Sequence, residues 1–334
     1  MSLVTVGLPV YNAMPFLPET INSLLQQTCP DFKVLAIDDG STDESLDYLK
    51  SINDSRFEVI SQPNSGLTAT LNRMLAEVKT PWLVRHDADD IAYPNRIKGI
   101  QQYITKYPNS GMFYSYAKYY QSTKSFGTFR TTKASPAILT NLTKAGYLLA
   151  ICHPTVTLNV KKTRNLGGYR FNLHIEDIDL WWRMALLHEI RLIPEETVGF
   201  RLNSNSVSSS NLEGQATNTL YVQYLLLSHL WNLNPLPYEL VKSKLSMLLN
   251  SKKLRFRANM RLTNIHLGKK TYAGALKYGF GALLSSPQDF LDRLTYELEN
   301  NNLAVNGEQP LLFATNCNSL WQEQVKEVHL NLIQ

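Results

Sequence analysis

The sequence predicts an α/β fold, a parallel sheet with helices on its faces followed by a C-terminal helical region. Three observations predict it. A strand, a polar turn and a helix recur four times in about the first hundred residues. All four polar turns fall at the C-terminal edge of the strands, where such sheets bind ligands. From about Asn211 onward the pattern is helical, broken at Pro235, Pro237, Gly268 and Pro287.

Each element has its own signature. Residues 3–9 (Leu-Val-Thr-Val-Gly-Leu-Pro) form the first strand, Pro9, Tyr11 and Asn12 the turn, and Phe16 to Leu25 a helix with Pro15 near its start. Residues 33–37 repeat the plan, with the turn Asp38-Asp39-Gly40-Ser41-Thr42-Asp43 and a helix over about 43–50. Phe57 to Ser61 is the third strand, followed by the turn at Gln62 to Gly66 and a helix from Thr68 to Val78. The fourth apolar run, Trp82 to Val84, stops on Asp87, Asp89 and Asp90, and Pro94 opens the next helix, to about Lys106. Three carboxylates within four residues repel one another unless water or a cation neutralises them. A pair one residue apart can offer hard oxygen ligands to Mg²⁺ or Mn²⁺. An acidic turn capping the next helix, with Asp90 near its positive end, is the alternative reading.

The 334 residues, 44% hydrophobic and 18% charged, suit one large or two ordinary soluble domains. No basic leader, apolar signal core or membrane-length run is visible. The widely spaced Cys29, Cys152 and Cys317 suggest neither a disulfide framework nor a zinc cluster. A cytoplasmic protein is expected. No Gly-x-Gly-x-x-Gly follows the first strand and no P-loop occurs anywhere, which argues against dinucleotides and against ATP in a P-loop. An aromatic face, many carboxylates and a cation suit a nucleotide diphosphate better.

At this point a family resemblance emerges. Residues 5–43 (Thr-Val-Gly-Leu-Pro-Val-Tyr-Asn-Ala … Ile-Asp-Asp-Gly-Ser-Thr-Asp), Asn64-Ser-Gly-Leu, the His-Asp-Ala-Asp-Asp-Ile-Ala-Tyr-Pro-Asn-Arg stretch and Glu176-Asp177-Ile-Asp179 resemble, in order, the family 2 inverting glycosyltransferases of GT-A fold. The resemblance covers roughly residues 1–205. It implies a mixed, mainly parallel sheet and a GT-A domain over 1–210, with a C-terminal helical region over 211–334. The implied activity is metal-dependent transfer, with Mn²⁺ or Mg²⁺, from a UDP-sugar to a glycan or lipid-linked acceptor in surface-polysaccharide synthesis.

The resemblance assigns Tyr11 and Asp39 to the donor's base, and Pro9, Asn12, Asn64, Gly66 and Asp87 to the same nucleotide-sugar site. Asp89, in an Asp-x-Asp pair with Asp87, becomes the metal ligand. Asp177 becomes the general base that an attacking hydroxyl needs. Asp179 is the runner-up, although two positions further on it should point to another side of a helix. His153, Glu176, Trp181 and Arg201 fall on the acceptor or diphosphate side. Trp181 and Trp182 offer either a sugar-stacking face or helix core, and Gly167 to Arg170 a flexible turn leading to the base. Relatives often carry His where this chain has Asn203, which puts a third metal ligand in doubt. Ser204 to Ser210 reads as a loop that could close over the donor. The rival readings are a nucleotidyltransferase, which lacks its basic glycine-rich loop here, and a catalytically silent relative.

The net charge of +5 is uneven. Leu240 to Gln288 holds ten Lys or Arg and no carboxylate, leaving 23 basic against 28 acidic residues elsewhere. Weak peripheral contact with the anionic inner membrane face through 240–288 is therefore expected. Tyr272 to Leu284 would either lie on that surface or pack as a core helix. No nucleic-acid-binding motif accompanies the charge.

Overall fold

The computed structural model describes residues 2–121, 124–202, 211–298 and 303–321. The opening strands are β1 (Val4–Val10), β2 (Lys33–Asp38), β3 (Phe57–Ser61) and β4 (Trp82–Arg85). The helices α1 (Leu17–Leu25), α2 (Ser45–Lys50) and α3 (Leu67–Glu77) connect them, and β4 leads through β5 (Ile91–Ala92) into α4 (Arg96–Lys106). The four strands pair in parallel in the order β3-β2-β1-β4. The chain thus builds outward from β1, then returns to lay β4 on its other side. The topological switch point, where open α/β sheets form a ligand crevice, lies between β1 and β4.

Beyond β4 the sheet is mixed. It continues through β9 (Thr157–Asn159), β6 (Met112–Gln121), β10 (Ile190–Arg201) and β5, and β7 (Lys124–Thr128) pairs on β6. β9 runs antiparallel to both β4 and β6, whereas β10 is parallel to β6. This is the GT-A architecture that the resemblance implied.

Strand alternation explains the two cores. Val34 faces the cluster built with Leu24 of α1 and Ile97, Ile100 and Ile104 of α4. Leu35 and Ile37 face the opposite cluster with Leu71, Met74 and Leu75 of α3. Side chains of successive strand residues point to opposite faces, so a sheet covered on both sides reads as an unbroken apolar run. The second cluster also takes Leu139 of α5 (Pro136–Lys144) and Leu180, Trp181 and Met184 of α7 (Glu176–Leu187). Between them lie β8 (Leu148–Leu149) and α6 (Val160–Asn165).

The C-terminal region begins with α8 (Leu212–Leu230) and continues with α9 (Tyr238–Met247), α10 (Ser251–Gly268), α11 (Tyr272–Ser285) and α12 (Pro287–Leu298). All five fall within the stretch expected to be helical from about Asn211. The short β11 (Val305–Asn306) and α13 (Pro310–Cys317) were not anticipated. β11 pairs antiparallel with β8, and Gln223 of α8 donates to the carbonyls of Gly146 and Glu308. Val222 and Leu226 of α8 pack with Trp182 of α7. Tyr221, Tyr224 and Leu225 form a separate cluster with Val241, Leu245, Phe313 and Trp321. Among the described residues no helix is long and apolar enough to cross a membrane.

Candidate active site

The β1–β4 switch point gathers most of the residues singled out above. Pro9 is buried in β1 opposite Ile37, and Tyr11, one residue past the strand, is 53% exposed at its mouth. Asn12 adopts a left-handed φ of 47°. Its side-chain oxygen accepts from the amides of Thr42 (2.8 Å) and Asp43 (3.3 Å), and its own amide donates to Ser41 Oγ. That oxygen binds the turn after β1 to the turn after β2.

Asp39 performs a similar tie with more donors. Its Oδ1 accepts from Gln62 Nε2 (2.7 Å) and the Ser65 amide (2.9 Å), and its Oδ2 from the Gly66 amide (2.9 Å). A carboxylate has about four acceptor positions, so about one remains for a ligand N–H. Gly66 serves as the N-cap of α3 with φ 85°, and exposed Asn64 passes directly over Gly40. A Cβ on Gly40 would stand 2.7 Å from the Asn64 amide nitrogen, so the turn requires glycine there.

At the end of β4 the carboxylates divide into three roles. Asp87 accepts from Arg85 Nη2 at 2.5 Å and keeps about a third of its side chain exposed. Asp89 is half-buried, and burial followed by the Asp87 charge pushes its pKa up to about 6. Among the described residues no other side chain donates to its carboxylate. Asp90 does not cap α4, which starts at Arg96 with Asn95 as its cap. Instead it is fully buried, its Oδ1 accepts the Arg201 amide at 2.7 Å, and its Oδ2 has no partner. Burial and then its acidic neighbours hold it well above the usual carboxylate range.

Beneath these lies a buried basic layer that the sequence did not reveal. Arg85 is 2% exposed, and its Nε and Nη1 have no partner. Arg96 donates to His86 Nδ1 (2.7 Å) and to the carbonyls of Arg85 (2.6 Å) and Pro154 (2.5 Å). Burial drives His86 well below its usual pKa and brings Arg96 down to about 9. A neutral His86 is what an acceptor Nδ1 requires. The signal was present in Arg-His-Asp-Ala-Asp-Asp, but spacing alone does not say which charges face inward.

The second half of the site comes from α7. Glu176 and Asp177 occupy its first turn rather than preceding it, and neither caps it: the cap position is Ile175. Asp177 Oδ1 accepts from the next amide, Ile178, at 2.7 Å. Burial pushes Asp177 up to about 6, opposed by Arg85 and reinforced by Asp87. Burial and then Asp177 push Glu176 up to about 8, which makes Glu176 the more readily protonated member of the pair. Glu176 comes within 4.0 Å of His153 Nδ1, and the adjoining Pro154 carbonyl shares Arg96 with the Arg85 carbonyl at the end of β4.

Asp179 is excluded as the base. It is fully buried and held by Arg170 (2.6 and 2.9 Å) and Arg183 (2.7 and 3.0 Å). The turn before it is clamped, not loose. Asn72 donates to the Tyr169 carbonyl and accepts from its amide, and Gly168 sits so close that a Cβ would meet Asn72 Oδ1 at 2.5 Å. His153 begins a 3₁₀ turn, His153–Thr155, and its Nε2 pairs with the Tyr169 hydroxyl at 3.0 Å. Burial and Arg85 hold it neutral, so its 4.0 Å approach to Glu176 is not an ion pair.

Two expectations for the acceptor side change. Trp181 has no exposed surface and meets His153 edge-on at 5.5 Å, so its ring is core and cannot stack on a sugar. Arg201 directs two of its guanidinium nitrogens to protein partners. Its Nε reaches the Asp89 carbonyl and its Nη2 reaches Glu19, both at 2.5 Å, and the guanidinium lies over Phe16 and Tyr120. These bonds tie the Asp-x-Asp loop to α1. Asn203 and the Ser204 to Ser210 loop lie outside the described residues.

The described residues contain no group of three His, Cys, Asp or Glu side chains arranged around a metal. The carboxylates still fit a hard cation. Mg²⁺-type sites at phosphates commonly use one or two carboxylates, with substrate oxygens and water completing the shell. A half-buried Asp89 raised by Asp87 has the uncompensated charge such an ion relieves.

A mixed sheet with acidic groups at its switch point and a Glu-Asp pair opposite defines a glycosyltransferase of GT-A fold. Residues 5–165 match the glycosyl transferase family 2 domain, which supports a family 2 glycosyltransferase domain of GT-A fold in this part of the chain. An uncharacterized glycosyltransferase of Haemophilus influenzae is 29% identical over 219 residues, covering 62% of this chain and 68% of that one. The chain spans about two thirds of the length of the curated relatives it matches over the longest stretches. Among solved structures, Staphylococcus aureus TarS 1-349 in complex with UDP-GlcNAc superposes with a TM-score of 0.53 at 16% identity, over 90% of this chain and 91% of that one. The mannosyltransferase PcManGT of Pyrobaculum calidifontis, in complex with GDP-Man and Mn²⁺, gives 0.53 at 15% identity over 96% and 88%. The protein is a glycosyltransferase.

Proposed function

We propose that this enzyme moves a sugar from a UDP-sugar to a hydroxyl of a glycan or lipid-linked acceptor in cell-surface polysaccharide synthesis, with inversion and with Mg²⁺ or Mn²⁺. The observation that carries the reading is the division of labour in Glu176-Asp177-Ile178-Asp179. One carboxylate is locked by two arginines, one is buried and pushed up by that burial, and Asp177 alone of the three keeps part of its side chain exposed.

In this reading the donor lies across the β1–β4 crevice, its base against Tyr11 and the remaining acceptor position of Asp39. A ring and an acceptor at adjacent strand ends suit a pyrimidine N–H. Asp177 takes the proton of the acceptor hydroxyl as that oxygen bonds to the anomeric carbon. The bond from that carbon to the diphosphate oxygen breaks on the opposite face, so the centre inverts. A divalent cation held by Asp87 and Asp89 would neutralise charge on the departing nucleoside diphosphate. TarS in complex with UDP-GlcNAc and PcManGT in complex with GDP-Man and Mn²⁺ share the fold and support a nucleotide-sugar donor.

The test pairs ligand binding with turnover. A panel of nucleotide sugars with Mn²⁺ is screened for protection against thermal unfolding, and the best donor is used to assay transfer. Asp177→Asn should retain that protection and lose about 10²–10⁴-fold in kcat, the usual worth of a general base. Undiminished transfer by Asp177→Asn overturns the assignment.

A further inference from the structure

The basic C-terminal helices contain an inversion of the usual pattern. α10 and α11 form an antiparallel hairpin joined by Lys269, Lys270 and Thr271, with Lys270 at φ 56°. The face of α11 that meets α10 is built from small residues. Ala275 and Ala282 are buried there, and a Cβ on Gly274 would meet the His266 ring while one on Gly281 would meet Asn259. Gly279 faces Thr263, and Tyr278 stacks on His266 with ring centroids 5.2 Å apart.

The large apolar residues of α11 are therefore turned outward. Tyr272 is 64% exposed, Leu276 75%, Phe280 61% and Leu284 68%. They recur every four residues and so form one ridge along the helix. A soluble helix normally buries such a stripe and shows its small or polar side to water. The ridge is bordered by exposed cations: Lys269 and Lys270 precede it in the turn, and Lys277 lies within it. None of these three is ion-paired among the described residues. From Leu240 to Gln288 there is no carboxylate to offset them, and acidic residues return only at Asp289.

We propose that this ridge is a docking surface for an anionic lipid bilayer, on which α11 lies in the headgroup plane. Three features favour a bilayer over a protein groove. The surface is a convex ridge, its charges are of one sign, and two of its four large residues are aromatic, a type that settles at membrane interfaces. Lysines beside an apolar stripe can bury their stems with it and keep their ammonium groups among lipid phosphates. No helix among the described residues can span a membrane, so the contact is a surface one. The surface is independent of the chemistry at the crevice. It would bring an enzyme with no membrane-spanning helix among its described residues to the place where lipid-linked substrates reside.

The test is co-flotation of the full chain with vesicles of phosphatidylcholine alone or with about one third phosphatidylglycerol, without any sugar donor. Wild type should partition at least about tenfold more onto the anionic vesicles, and the gain should fade in high salt. Leu276→Ser with Phe280→Ser should abolish binding to both vesicle types. Lys269→Glu, Lys270→Glu and Lys277→Glu together should remove only the anionic preference. All variants should keep the wild-type melting temperature and nucleotide-sugar protection, which separates lost docking from lost folding or lost donor binding. Equal partition of wild type onto the two vesicle types overturns the proposal. So does unchanged binding of the apolar double variant. Sedimentation velocity covers the remaining occupant: a dimer in vesicle-free solution that the same serine substitutions dissolve assigns the ridge to a second copy and overturns the bilayer reading.

Discussion

The crevice and the C-terminal hairpin place their polar and apolar groups in opposite ways. Around β4 and α7 the protein buries charge: Arg85, Arg96, Asp90, Asp179 and Glu176 are each less than a tenth exposed. Along α11 it exposes hydrocarbon: Tyr272, Leu276, Phe280 and Leu284 face outward. Each arrangement costs stability by itself, since ions prefer water and apolar side chains do not. The crevice offsets its cost with short ion pairs, among them Arg85–Asp87 and the two arginines on Asp179. The hairpin has no such internal compensation, so what relieves it must come from outside. A site of strained protonation and a surface awaiting cover are different departures from a stability optimum, and both mark function.

The comparison is most easily broken at the buried charges. Asp179→Asn leaves Arg170 and Arg183 facing a neutral amide, and removing one partner of a buried pair typically costs about 3–5 kcal/mol. Chemical denaturation should show a loss of that order. If the variant is as stable as wild type, the arginine clamp is not what holds α7.

Arg85→Met probes the link between the two halves of the site. Arg85 opposes the rise in pKa of Asp89, Asp90, Glu176 and Asp177, so its loss should move all four further up. The acidic limb of the pH–rate profile should shift upward by about one unit, equivalent to about 1.4 kcal/mol. A limb that stays in place would show that Arg85 does not act on the base.

The wild-type profile itself gives the third measurement. Asp177 must be ionised to accept a proton, and its pKa is raised to about 6. kcat/KM should therefore be flat above about pH 7 and fall about tenfold per unit below pH 6, unlike the fall near 4 expected of an ordinary aspartate. The smallest effect is predicted on the hairpin. Leu276→Ala should change unfolding free energy by less than about 0.5 kcal/mol, the range of surface substitutions. Leu71→Ala, in the core beside β2, should cost about 2–5 kcal/mol. A large loss at Leu276 would mean that the ridge is already covered within the protein.

Legibility follows the range of the forces involved. The four strand–turn–helix units, the switch-point turns and the helical C-terminal third were readable because side-chain period and turn chemistry act over a few residues. The Asp-x-Asp and Glu-Asp segments were readable for the same reason, as contiguous runs that resemble a family. The sequence left Trp181 open between sugar platform and helix core, because an aromatic at helical spacing has the same local signature whether it packs or binds, and its full burial decides for core. The tie that Arg201 makes was not legible because its partners, Glu19 and the Asp89 carbonyl, are distant in the chain.

The sequence by itself determined which residues carry carboxylates, which stretches are strands, and that one segment holds ten cations without an anion. Only the tertiary structure decided what those groups face. It closed two arginines around Asp179, left Asp177 partly exposed, and turned the small face of α11 inward. Protonation and exposure depend on neighbours brought together from across the chain, and local spacing carries no record of those neighbours.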